Sequence, residues 1–135
     1  MFSKDLKMTI CAAMGTALLP VASVAEIDIS KLPPPSSKPG LTFEKDIKPL
    51  FEKSCFKCHG PEKQRGKLRL DSLEAVLKGG ESGKIIDGRD SAKSSVVKAV
   101  SGLDEDTAMP PKDKAEPLTT QQQGLLRAWI EQGAK

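Results

Sequence analysis

Two thiols and the chain's lone histidine fall within five residues, Cys55-Phe56-Lys57-Cys58-His59. This C-x-x-C-H run constrains the fold more than any other feature, because three chemistry-bearing side chains must share one local geometry. A closed zinc site takes four nitrogen or sulfur ligands, and outside this run the chain offers only Cys11 and no histidine. A thioredoxin-like dithiol sits in a βαβ context. Strand patterning is nearly absent here: Leu68-Arg69-Leu70 alternates, but over too few residues to build a sheet. A disulfide between cysteines three apart closes a tiny loop and returns little loop entropy.

The fourth reading is covalent haem attachment, of which C-x-x-C-H is the signature. Each thiol adds across a haem vinyl group to form a thioether. Two intervening residues let the sulfurs of Cys55 and Cys58 reach neighbouring vinyls on one edge of the macrocycle. The next residue, His59, is then carried under the iron as proximal ligand. One covalently bound haem c per chain is the expected cofactor.

The N-terminus decides which residues accompany that motif. Lys4 and Lys7 precede a mostly apolar run from Met8 to Val24, and Ser23-Val24-Ala25 is a small-residue cleavage site. This is the three-part pattern of a secretory signal peptide over residues 1–25, which implies export to the periplasm. An uncleaved anchor is the competing reading, but the segment is short for a span and carries Gly15, Thr16 and Pro20. Met8-Thr9-Ile10 before Cys11 do not make a lipobox. Cleavage after Ala25 removes Cys11, Met1, Met8 and Met14, two lysines and one aspartate, and leaves a net charge of +2. After cleavage the chain is not expected to span a membrane.

Met109 is the only thioether left in the mature chain. It lies in Met109-Pro110-Pro111, where two fixed φ angles stiffen the loop. Since His59 is used, Met109 is the expected second axial ligand; the plainer alternative is an apolar filler. The metal ligands are thus expected to be His59 and Met109.

Around these residues the patterning is helical. Glu26 to Gly40 holds Pro33, Pro34, Pro35 and Pro39 with no apolar period, and residues 26–41 are expected as a Pro-rich tether, a spacer or a Pro-rich ligand. The folded domain is expected over residues 42–135. Phe43, Ile47, Leu50 and Phe51 share one helix face, with Thr42 as N-cap and Pro49 kinking or ending the regular part. A second helix is expected over residues 72–78, capped by Asp71 and stopped by Gly79-Gly80, and a third near residues 92–100. The last opens on a Thr119/Gln122 capping box, carries Leu125, Leu126, Trp129 and Ile130 as its stripe, and ends at Gly133. The expected class is all-α, with about four helices around one covalently bound haem.

The ordered set of motifs resembles the planctomycete-type cytochrome c domain. It comprises Asp46-Ile47-Lys48-Pro49-Leu50-Phe51, Cys55 to Gly60, Leu68-Arg69-Leu70-Asp71, Gly79-Gly80-Glu81-Ser82-Gly83, Met109-Pro110-Pro111 and Ala128-Trp129-Ile130-Glu131-Gln132-Gly133. The similarity runs from about Thr42 to Gly133. It implies a helical cytochrome c fold with His/Met iron. One departure is Asp87-Gly88, standing where similar domains have a Pro-Gly turn, with a slightly longer run over residues 89–94.

Charge adds little. The precursor's net charge of +3 is small and evenly spread, with no basic block interleaved with aromatics, which argues against nucleic-acid binding. Arg65, Lys67, Arg69 and the Trp129 indole are candidate partners for haem propionates. Lys53, Lys57 and Lys63 are candidates for a positive rim facing an acidic redox partner. The combined expectation is an electron carrier for redox protein partners rather than an enzyme. No second histidine is available for acid–base work, which disfavours a peroxidase; the alternative is a small-ligand-binding, gas-sensing haem module with a displaceable Met109. Mass spectrometry of the mature protein is expected to show a chain beginning at Glu26 and carrying one haem; a periplasmic product beginning at Met1 would refute the cleavage.

Overall fold

The computed structural model describes residues 26–135, so the expected signal peptide lies outside the described residues. The described chain is helical without a sheet; only isolated bridges such as His59–Gln64 and Gly80–Gly83 occur. Five α-helices form: α1 Lys48–Ser54, α2 Phe56–His59, α3 Leu73–Lys78, α4 Ser95–Ser101 and α5 Thr120–Glu131. None of the described helices is long and apolar enough to cross a membrane.

The stretch opening at Phe43 winds differently from the expected single helix. Phe43–Ile47 is a π turn in which the Lys48 N–H reaches back to the Phe43 carbonyl, and α1 follows it. Pro49 sits in the first turn of α1, where its missing N–H costs nothing. The expected break at Pro49 is therefore met by a change of winding just before it. Thr42 does not cap through its hydroxyl; its own N–H donates to Asp46 Oδ2 at 3.0 Å. The apolar face is nonetheless kept, with Phe43, Ile47 and Phe51 buried and Leu50 packed partly against them.

Two other helix starts shift by a residue or more. Ser72, not Asp71, caps α3, accepting the Ala75 N–H at 3.2 Å. Asp71 is occupied by a two-pronged contact with Arg69, at 2.9 and 2.6 Å. Helix α4 begins at Ser95 rather than near residue 92, because residues 87–94 close on themselves. There the buried Ser94 hydroxyl accepts the Asp87 N–H at 3.0 Å and donates to the Asp90 carbonyl at 2.8 Å. Its apolar side, Val96, Val97 and Val100, is buried as expected.

Helix α5 is the centre of the domain. Its reciprocal Thr119/Gln122 capping box forms as the sequence indicates. Leu126, Trp129 and Ile130 are fully buried. Trp129 packs on Phe43 with ring centroids 6.0 Å apart, and Phe43 on Phe51 at 6.3 Å. These separations fall in the favourable range for tilted aromatic pairs. α5 contacts the π turn on one side and α4 on the other.

The Pro-rich segment is not a free spacer. It lies along α5, with Leu32 and Leu41 buried. The Ser36 N–H donates to the Gly124 carbonyl at 2.9 Å. Arg127 reaches the Pro33 carbonyl at 2.6 Å while its Nε donates to the buried Ser91 hydroxyl at 2.9 Å. Gln132 holds both Lys38 O and the Leu41 N–H through its side-chain amide. Lys38 adds an ion pair with Asp46 at 2.6 Å, which holds that carboxyl below the usual carboxylate range. A proline run has no donors for a ladder but keeps its carbonyls, and Arg127 of α5 and Gln132 just after it supply donors to two of the segment's carbonyls, those of Pro33 and Lys38.

Gly124 makes this close approach possible, since a Cβ there would stand 2.8 Å from the Pro34 carbonyl oxygen. In an open helix Gly→Ala gains roughly 1 kcal/mol. Here Gly124→Ala is expected to lose about 1–2 kcal/mol net, because backbone must move, and to speed proteolysis within residues 32–41. Thermal unfolding and limited proteolysis measure both; an unchanged or higher Tm would count against the docking.

Candidate haem-binding site

Helices α1 and α2 meet at Cys55, whose N–H donates to the Phe51 carbonyl at 2.7 Å. The Cys55 carbonyl then accepts the N–H groups of Cys58 at 3.1 Å and His59 at 2.9 Å. That single turn gathers the two thiols and the imidazole. Gly60 ends it, and only glycine fits there: a Cβ would stand 2.5 Å from the Phe56 carbonyl oxygen. Both cysteines are free thiols, each partly buried.

The chain then loops under His59. The Leu70 N–H donates to the His59 carbonyl at 2.8 Å, and His59 Nδ1 lies 3.3 Å from the Leu68 carbonyl oxygen. A carbonyl only accepts, so Nδ1 carries the proton in this contact and Nε2 is left as the metal-binding nitrogen. The motif Leu68-Arg69-Leu70-Asp71 does not signal this contact, because a backbone acceptor has no side-chain signature.

Two spaces with shared lining residues adjoin this turn. A narrow throat is walled by Cys55, Cys58 and His59 on one side and by Met109, Pro110 and Pro111 on the other. A larger, mostly apolar cavity of about 730 Å³ also reaches Cys55, His59 and Met109, with Leu68 and Leu70 beneath and Val96, Ala99 and Val100 of α4 as its far wall. This volume suits a cofactor-sized ligand. The Met109 N–H donates to the Ala99 carbonyl at 2.9 Å, tying the Met-Pro-Pro loop to α4. All four residues singled out from the sequence, Cys55, Cys58, His59 and Met109, thus border the throat.

Burial, and to a lesser extent the neighbouring Cys58, pushes the Cys55 thiol up to about 12. A redox dithiol works through a lowered thiol pKa, so Cys55 is poorly suited to that role. A thioether has no proton to lose and fits the apolar surroundings. Among the described residues no three His, Cys, Asp or Glu side chains converge to hold a metal ion by themselves. The residues present therefore fit a haem: thiols at the mouth, an oriented imidazole, an apolar cavity and a thioether across from it.

Several secondary expectations are corrected. Trp129 Nε1 donates to the Lys135 carbonyl at 2.9 Å, so its indole is engaged away from any propionate. Arg69 is bound to Asp71, and with Lys67 it lines a separate polar groove beside α3. The reason is alternation: Leu68 and Leu70 line the apolar cavity, and Lys67 and Arg69 line the other groove. Of the candidate basic rim, Lys53 is paired with Glu116 at 2.8 Å and Lys57 borders the throat.

A helical chain with C-x-x-C-H opening onto such a cavity is similar to a cytochrome c domain. More narrowly, residues 55–113 match the family model for Planctomycete cytochrome C, from the first haem-motif cysteine through the Met-Pro-Pro loop. No curated protein and no solved structure matches the chain significantly.

Acid–acetone extraction is expected to leave haem on the wild-type protein and to strip it from a Cys55→Ala/Cys58→Ala double variant. Free extraction from the wild type would overturn covalent attachment.

Proposed function

We propose that the chain is an exported, periplasmic monohaem c-type cytochrome that carries electrons between redox proteins, with His59 and Met109 as the axial ligands. The observation that carries this reading is that His59, fixed through Nδ1, and Met109, fixed through its own N–H, border the same throat and the same apolar cavity. A bound haem supplies one-electron Fe(III)/Fe(II) cycling.

The chain's own residues do the rest. His59 offers Nε2 from a ring that Leu68 prevents from turning freely. Met109 offers a soft thioether, which favours the ferrous state and raises the potential. Leu68, Leu70, Val96 and Val100 keep water from the cavity and disfavour the more charged ferric form. Cys55 and Cys58 hold the macrocycle edge at the mouth, where electrons can pass to a partner without bond chemistry.

A second reading rests on how Met109 is held: its N–H is tied to the Ala99 carbonyl, a backbone bond that leaves the thioether itself unfastened. A ligand held through its loop rather than its side chain can be displaced, and a displaceable Met109 would make the domain a sensor of small gaseous ligands. Carbon monoxide added to the reduced protein separates the two: the electron carrier excludes it, and the sensor binds it. Met109→Ala is expected to admit carbon monoxide and lower the midpoint potential, both read optically. An unchanged spectrum and potential in Met109→Ala would show that another group holds the iron.

A further inference from the structure

Haem presents two propionate carboxylates as well as an apolar ring. A carboxylate taken from water needs a charged or hydrogen-bonding partner. Of the basic residues that follow the haem motif, Lys67 and Arg69 line the groove beside α3, and Arg65 is not part of the cavity lining. The polar side chains that do line the haem-sized cavity are Glu26, Ser82, Ser95, Lys98, Asp104 and Thr107. Lys98 is the one cation among them.

Ser82 is neutral and offers no charge to offset a carboxylate, and the other neighbours are engaged or of the wrong sign. The Thr107 hydroxyl donates to Asp104 Oδ2 at 2.7 Å, and Asp104 also accepts the Asp106 N–H at 3.1 Å. The Ser95 hydroxyl is turned to the Ile85 carbonyl at 3.5 Å. Glu26 and Asp104 are acids that repel a propionate. Lys98 takes part in none of the ion pairs among the described residues. It is half-buried in α4, the helix that walls the cavity with Val96, Ala99 and Val100 and that anchors the Met109 loop.

We infer that Lys98 is the positioning residue that receives a haem propionate, an assignment that rests on the haem reading above. Its ammonium donates to the carboxylate and offsets that negative charge near the iron. Less negative charge beside the iron favours the ferrous state, so Lys98 raises the midpoint potential. Asp104 and Glu26, in the same lining, act in the opposite direction.

The test compares midpoint potentials of the haem-loaded wild type with Lys98→Gln, Lys98→Arg and Lys67→Gln. Lys98→Gln is expected to shift the potential downward, and Lys98→Arg to stay near the wild type. Lys67→Gln removes the same charge from the separate groove and is expected to shift it less than Lys98→Gln does. Equal shifts in the two Gln variants would overturn the assignment. Should Lys98→Gln not mature, the propionate bending band of the wild type in resonance Raman decides. A hydrogen-bonded, deuterium-sensitive band supports the contact, and a band of free propionate overturns it. A wild type without covalent haem, visible in its absorption spectrum beforehand, would instead sink the haem reading itself.

Discussion

The domain depends on what α5 buries. Trp129 is fully enclosed, stacked in a tilted arrangement on Phe43, with its indole N–H spent on the Lys135 carbonyl. A buried indole without a partner would be unfavourable, so this one hydrogen bond draws the C-terminal residue inward. Lys135 in turn accepts the Phe43 N–H at 2.7 Å, which joins the C-terminus to the start of the π turn. One aromatic side chain therefore fixes both ends of the helical domain at once. Periodicity carries the stripe of α5; nothing in the pattern signals that Lys135 joins the start of the π turn.

Around that anchor the molecule divides its apolar surface into two regions. One is a closed core shared by α5, the π turn, α1 and the buried face of α4. The other is the cavity on the haem-motif side, bounded by Leu68, Leu70 and α4. α4 serves both regions, since Val97 is buried at 1% exposure while Val96, Ala99 and Val100 reach the cavity wall. A group bound only by the folded chain in that cavity adds its binding energy to stability. For a domain of this size, with few aromatics to bury, such a contribution is substantial. The Met109 loop is tied to α4 through Ala99, so the helix that walls the cavity also holds a residue that borders the same throat as His59.

Most of the helix faces were legible in the sequence because periodicity reports burial directly. Phe43, Ile47 and Phe51, the Val96–Val97–Val100 side of α4, and Leu126, Trp129 and Ile130 of the α5 stripe are buried as the pattern implies, with Leu125 half-buried at its edge. Helix starts were less legible. Ser72 displaced Asp71 as a cap because Arg69 claims the Asp71 carboxylate. Ser94 holds residues 87–94 as a closed loop and delays α4. Both outcomes turn on competition for one side chain, which a linear pattern does not rank. The docking of the Pro-rich segment, expected as a spacer or a Pro-rich ligand, is not legible in the sequence for a related reason. Its carbonyls are held by Arg127 and Gln132, residues more than ninety positions away.

The chemistry of the candidate site is carried by composition and adjacency: C-x-x-C-H brings its own geometry within one helical turn, and the expected cleavage would leave Met109 as the one thioether. Those expectations come from the sequence alone because the relevant atoms are neighbours in the chain or few in it. Tertiary structure decided what lies between them: the Leu68 carbonyl that orients His59, the α4 wall, and the side of the 67–70 segment on which each charge falls. Backbone acceptors carry no residue signature, and alternation along an extended segment does not by itself say which face meets the cavity. Only the packing of α4 against α5, and of the loop beneath His59, resolves that choice, because burying Leu68 and Leu70 sends Lys67 and Arg69 the other way.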